Sequence, residues 1–137
     1  MVADDNDDAK AAEAVGAAWE RNRGIEYIIG VDARFAIGAL GALRELHKKP
    51  GEVTVIGWDN DEDALQAIKD GWIEALSTPN LAYMTQMAIS ILEAKNRNYL
   101  YTDVLRLKEL NFPALPAQID VPQTYIDKSN VEGFYRR

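Results

Sequence analysis

Cysteine is absent from the 137 residues, which excludes disulfides, thiolate metal sites and cysteine nucleophiles together. Histidine occurs once, as His47. It falls near a predicted helix C-terminus, where a cation is favourable, and one imidazole without thiols gives transition metals little to bind. Positive charge is scarce: 15 basic residues face 22 acidic ones, for a net charge of −7. No basic stripe interleaves with aromatics, so neither nucleic acid nor an anionic membrane is an expected partner. No apolar run approaches the ~20 residues that span a bilayer. The opening stretch Met-Val-Ala-Asp-Asp-Asn-Asp-Asp, residues 1–8, has neither a basic n-region nor an apolar h-region, so no export signal is expected from it. Ser77, Ser90 and Ser129 sit in no nucleophile elbow, and neither a phosphate loop nor a dinucleotide fingerprint occurs. A chain without catalysis, cofactor or metal is expected.

What remains is an ordinary 47% of hydrophobic residues, arranged as helix alternating with strand. Acids at 4, 5, 7 and 8 open an alanine-rich helix over 9–21, with Ala12, Val15 and Trp19 at helical spacing. Residues 25–31 read as a buried strand. A helix follows over 33–47, with Phe35, Leu40, Leu43 and Leu46 inward. Pro50-Gly51 marks a turn, and 53–58 is the second strand. Residues 62–70 form a helix ending at Gly71, which suits a left-handed cap. A short strand is expected over 73–77. Thr78 then serves as N-cap, with Pro79 as first residue, of a helix reaching about 94 and burying Leu81, Met84, Ala88, Ile91 and Leu92. Residues 96–118 read as an irregular insertion with one amphipathic stretch, 104–110. Residues 119–126 are extended, broken at Pro122 as an edge or crossing strand would be, and 129–132 fit a capping box. The expected class is α/β, a mainly parallel sheet with helices on both faces.

Two aspartates stand out. Asp32 closes the first strand run and Asp59 the second, each just before a helix. Parallel neighbours would bring both to the carboxyl edge of the sheet, where open α/β sheets hold ligands. An ionised carboxylate accepts two hydrogen bonds at once, which suits a polyhydroxylated ligand. Asp32 is equally suited to capping the next helix, and the two roles are compatible. Arg34, one turn into that helix, is a further possible donor or a solvated side chain. Trp58 reads as packing rather than a stacking platform.

These residues also carry a resemblance. The stretch 25–40, ending Val-Asp-Ala-Arg-Phe-Ala-Ile-Gly-Ala-Leu, resembles the Asn-Asp-x-Met-Ala-x-Gly-Ala signature of the sugar-binding proteins of bacterial ABC importers, the ribose/galactose type. Lys48-Lys49-Pro50-Gly51-Glu52-Val53 through Ile56-Gly57-Trp58-Asp59 resembles that family's Pro-Gly-x-Val-x-Val-x-Gly-Phe-Asp. Residues 64–73 are similar to its following helix-Gly-strand unit. Residues 121–131, Val-Pro-Gln-Thr-Tyr-Ile-Asp-Lys-Ser-Asn-Val, are similar to its terminal segment. The four occur in the family's order and cover nearly the whole chain.

The resemblance implies a two-lobed sugar binder about twice this length, of which this chain is a partial C-terminal lobe. Residues 78–95 would belong to the partner lobe, and 119–137 would form a crossing strand and terminal helix. It implies a periplasmic or extracellular location, with a small-molecule sugar, the N-terminal lobe and an ABC permease as partners. Asp32 matches the family's second-lobe ligand asparagine and Asp59 its ligand aspartate. The asparagine-to-aspartate departure at 32 removes a donor and alters specificity. A third ligand position aligns near Pro79, so Thr78 or Asn80 would substitute. The lactose-repressor family shares the fold and first two motifs, which keeps an effector-sensing regulator lobe as the alternative; the terminal segment favours transport. A receiver-like signalling domain ranks last, because no lysine directly follows the strand at 73–77. An exposed sheet edge would also allow homo-oligomers.

Overall fold

The computed structural model describes residues 7–97 and 118–135. The expectations for Asp4, Asp5 and the amphipathic stretch 104–110 lie outside the described residues. The chain divides into two compact units, Met1–Thr78 with Thr124–Arg137, and Pro79–Gln123.

In the first unit, α1 (Asp8–Arg21) starts at Asp7, whose side chain accepts the Ala9 and Lys10 N–H groups. The acidic opening is thus a capped helix start, satisfying donors that have no intrahelical partner. Ala11, Val15 and Trp19 are buried, and the predicted Ala12 packs half-buried beside them. The strands β1 (Tyr27–Ile29), β2 (Thr54–Trp58), β3 (Ala75–Pro79) and β4 (Gln123–Asp127) form one sheet in that order. The first three are parallel, in register Ile28↔Val55 and Gly57↔Leu76. Helices α2 (Ala33–Glu45) and α3 (Glu62–Lys69) are the crossovers, and a 3-10 turn, Val131–Phe134, follows β4. The α/β class and the mainly parallel sheet are as expected.

Burial alternates along the strands. Ile28, Val55, Leu76 and Ile126 lie on the covered face and join Leu40, Leu43, Leu65 and Ile68 of the helices in one core. Tyr27, Ile29, Ile56, Trp58 and Tyr125 point the other way and are exposed. Residues 25–31 are therefore not a strand buried on both sides: β1 is shorter and stands at the sheet edge, and Ile29 is 71% exposed. The described helices of this unit pack on the Ile28 face, so the alternate residues have no cover from them. Trp58, read as packing, is on the open face and 40% exposed.

Both crossover helices end in the same way. The Gly71 N–H bonds to Ile68 O and the Trp72 N–H to Ala67 O, with Gly71 at φ 79°. The His47 N–H bonds to Arg44 O and the Lys48 N–H to Leu43 O, with His47 at φ 57°. This is the Schellman arrangement, which glycine occupies without a Cβ penalty; His47 bears that penalty.

In the second unit, α4 (Leu81–Asn96) is capped by Asn80, whose Oδ1 accepts the Tyr83 N–H at 3.0 Å. The predicted Thr78 cap and Pro79 helix start are corrected: both residues belong to β3. The predicted burial along α4 is corrected too, since none of its residues is buried, and Leu81 and Leu92 are more than half exposed. Helical spacing marks which side chains are apolar but not what covers them.

Two substitutions test this packing. A Cβ at Gly38 would collide with the Asp8 carbonyl oxygen and lie 2.6 Å from the Ala11 Cβ. Gly38→Ala should therefore cost about 1–3 kcal/mol by forcing α1 off α2. His47→Gly should add about 1 kcal/mol by relieving the left-handed residue. Equilibrium denaturation midpoints check both.

Candidate functional site

The candidate site is built at the carboxyl ends of β1 and β2. After Ile29 the ladder continues for one step, with the Gly30 N–H donating to Ile56 O at 2.7 Å. The chain then turns into α2, and Asp32 occupies its N-cap, with Oδ1 accepting the Phe35 N–H. On the neighbouring strand the Asp59 N–H still donates to Ser77 O at 2.9 Å, while its φ of 68° swings the chain out of the sheet. Glycine sits two residues before each acid. A Cβ on Gly30 would lie 3.0 Å from the Ala36 N, and one on Gly57 2.9 Å from the Ala36 Cβ. The first turn of α2 thus rests directly on both strand ends.

Asp32 and Asp59 consequently sit close enough to feel each other. The Asp59 carboxyl is held above the ordinary carboxylate value, first by burial, then by the negative charges of Asp61 and Asp32. Asp61 occupies the N-cap position of α3 but makes no cap bond with its side chain. Its Oδ2 instead lies 3.4 Å from Arg34 Nε. Arg34 Nη1 is 3.7 Å from Asp8 and 3.8 Å from Asp63.

Of the expected site residues, Asp32 and Asp59 come together, and Arg34 stands beside them engaged with three acids. Thr78 is buried near the end of β3, on the covered face of the sheet. Asn80 lies in the second unit and its Oδ1 is committed to capping α4. Asp61 was not singled out from sequence. The alternation Asp59-x-Asp61-x-Asp63 after a strand was the available signal, and it reads as an ordinary acidic helix start. At the other end of the sheet a cavity of about 330 Å³ is lined by Gly71, Glu74, Asp127 and Ser129 among others. Among the described residues no cluster of three His, Asp or Glu side chains is arranged to hold a metal.

Residues 1–97 match the family model described as a periplasmic binding protein domain, and the chain belongs to that family. It is a family of binding proteins, not enzymes. No described helix is long and apolar enough to cross a membrane. A comparison with curated proteins gives no match. Among solved structures, the chain is similar to an arabinose binding protein from Geobacillus stearothermophilus, with TM-score 0.81 and 22% identity over 96% of this chain and 43% of that one. It is also similar to a sugar ABC transporter sugar-binding protein from Bacillus halodurans, with TM-score 0.81 and 22% identity over 95% and 44%. A Caulobacter myo-inositol binding protein matches with TM-score 0.73 and 20% identity over 93% and 39%. At these identities the likeness establishes the fold. The chain spans about two fifths of the length of these proteins.

The environment of Asp59 sets a pH dependence. Because its folded value lies above the unfolded 3.8, the native state binds the proton more tightly. Ionised Asp59 therefore costs stability above the raised value, and the cost is absent below the unfolded one. Asp59→Asn should raise the thermal midpoint at pH 7 by the equivalent of less than about 1 kcal/mol after solvent screening. That gain should fade as pH falls through the raised value. Asp32→Ala should lose about 1 kcal/mol with the cap, while Asp32→Asn should retain most of it; thermal melts across pH read both effects.

Proposed function

We propose that this chain is the partial C-terminal lobe of a solute-binding protein that captures a small sugar for uptake through an ABC permease. The observation that carries this reading is the pair Asp32 and Asp59 at the carboxyl edge of a parallel sheet, in a chain of the periplasmic binding protein family. Asp59 accepts hydrogen bonds from neighbouring hydroxyls of the ligand. Asp32 contributes its second carboxylate oxygen while the first caps α2. Solved relatives named for arabinose, tagatopyranose, allose and myo-inositol binding support a pentose, hexose or cyclitol as ligand class.

A two-lobed binder works by closure: both walls contact the ligand, and the ligand favours the closed state by its differential affinity. One lobe offers an open half-site. The second unit, with α4, belongs on this reading to the opposite lobe. Its separation as its own unit and the exposure of Leu81, Tyr83, Met84, Ile89 and Leu92 support that assignment. Location outside the cytoplasm follows from the same reading. A regulator lobe has less support, since several of the similar structures are named as ABC transporter binding proteins.

The half-site predicts weak binding. Titration of the labelled chain with ribose, arabinose, allose and myo-inositol should move the amides around Asp32 and Asp59 with Kd in the millimolar range, about −4 kcal/mol or weaker. Asp59→Ala should abolish those shifts. Submicromolar affinity by calorimetry would reject the half-site, and shifts elsewhere, or none, would reject the site.

We also propose that a second copy of the chain covers the open sheet face. Tyr27, Ile29, Val31, Ile56, Trp58 and Tyr125 form an exposed apolar set, and two such faces laid together are of the size, about 1,000 Å² in total, that a specific interface needs. β1 is also an edge strand without lysine or proline to block pairing. Sedimentation velocity should show reversible dimerisation, weakened by Ile29→Lys; a concentration-independent monomer would count against it.

A further inference from the structure

We infer that Arg34 is a positioning residue of the carboxyl edge, fastening the turn that carries Asp59 to the helix start that carries Asp32. The inference rests on the proposed ligand role of those two aspartates. Arg34 lies two residues after Asp32, and its partner Asp61 lies two residues after Asp59. One ion pair therefore spans the two strand-to-helix turns just behind their site carboxylates. The same guanidinium reaches Asp63 in α3 and Asp8 at the start of α1, so three helices converge on one cation. Among the described residues Asp8 Oδ1 is shut from solvent without a hydrogen-bond partner, and Arg34 Nη1 stands 3.7 Å from the same carboxylate's Oδ2.

This arrangement assigns Arg34 away from the ligand. Its Nε and Nη1 are turned toward Asp61, Asp8 and Asp63, so on this inference its charge serves the turns and not the sugar. Its effect is local. Exposed ion pairs at these distances contribute little to global stability, and all four side chains are more than a third exposed. What Arg34 controls is the charge behind Asp59. The charges facing Asp59 are Asp61 from its own turn and Asp32 from α2, both of which hold its proton more tightly. Arg34 neutralises the first of them. With Arg34 removed, the Asp61 charge is no longer offset by it, and Asp59 retains its proton to higher pH.

The test is a carboxyl NMR titration of the ligand-free chain as wild type, Arg34→Gln and Arg34→Lys. Arg34→Gln should raise the Asp59 midpoint by about half a pH unit, and Arg34→Lys should restore most of the wild-type value. Asp127, held low by its bonds from Ser129 beyond the other end of β3, should not move. In the Asp61→Asn background, Arg34→Gln should lose most of its effect, because the coupling runs through Asp61. An unchanged Asp59 midpoint in Arg34→Gln overturns the inference. So does an equal shift at Asp127, which would report general loosening, or an undiminished effect in Asp61→Asn. If Arg34→Gln does not fold, Arg34→Lys and Asp61→Asn alone decide: a wild-type Asp59 midpoint in Asp61→Asn overturns it. None of these readouts requires sugar, so a failed sugar titration leaves them standing.

Discussion

The close approach of α2 to the ends of β1 and β2 is the constraint on which the carboxyl edge depends. It is made at Ala36, and it is possible because Gly30 and Gly57 present no side chain there. Each strand ends in the same short phrase, glycine, one apolar residue, aspartate: Gly30-Val31-Asp32 and Gly57-Trp58-Asp59. The glycine lets the helix start settle onto the strand, and the aspartate two residues later emerges beside it. Parallel register then places the two phrases next to each other. A methyl group at Gly57 would also lie 2.7 Å from Leu76 Cδ2, so α2, β2 and β3 are fixed by one absent side chain.

Most of the first unit was legible in the sequence, because its signals are local. Val15 and Trp19 repeat at helical spacing, Gly71 offers the backbone freedom a helix end needs, and Pro50-Gly51 turns the chain. The adjacency of Asp32 and Asp59 also followed from strand order and the rule for carboxyl edges. What was not legible is set by partners distant in sequence. Thr78-Pro79 has the chemistry of a helix start, yet both residues extend β3, and Asn80, the next good capping side chain, takes the cap. The ring of acids around Arg34 joins Asp8, Asp61 and Asp63 from positions as far apart as 8 and 63, and no periodicity encodes such a meeting.

The two left-handed residues contrast in a way that separates structure from site. His47 occupies a helix end that glycine would fill better, and its burden is confined to its own backbone. Asp59 carries a left-handed backbone and, in addition, a carboxyl made harder to ionise by its surroundings. Both features oppose folding at neutral pH. Asparagine would tolerate the same backbone without the charge, so the carboxylate at 59 is not there for stability. Strain of this kind concentrates where a residue acts on something outside the fold, and on the proposed reading that something is a sugar hydroxyl.

The open face of the sheet follows the same logic on a larger scale. A strand covered on one side only is written as an alternation of apolar and polar residues, whereas a strand covered on both sides reads as a continuous apolar run. Residues 27–31, Tyr-Ile-Ile-Gly-Val, and 55–58, Val-Ile-Gly-Trp, are runs of the second kind, yet only alternate members are buried by the described helices. No charge interrupts the exposed set Tyr27, Ile29, Val31, Ile56 and Trp58. Solvent imposes no such composition; a covering surface does. The strands therefore specify a second layer as plainly as they specify the first, and a second copy of the chain meets that requirement only if its own open face is the complementary one.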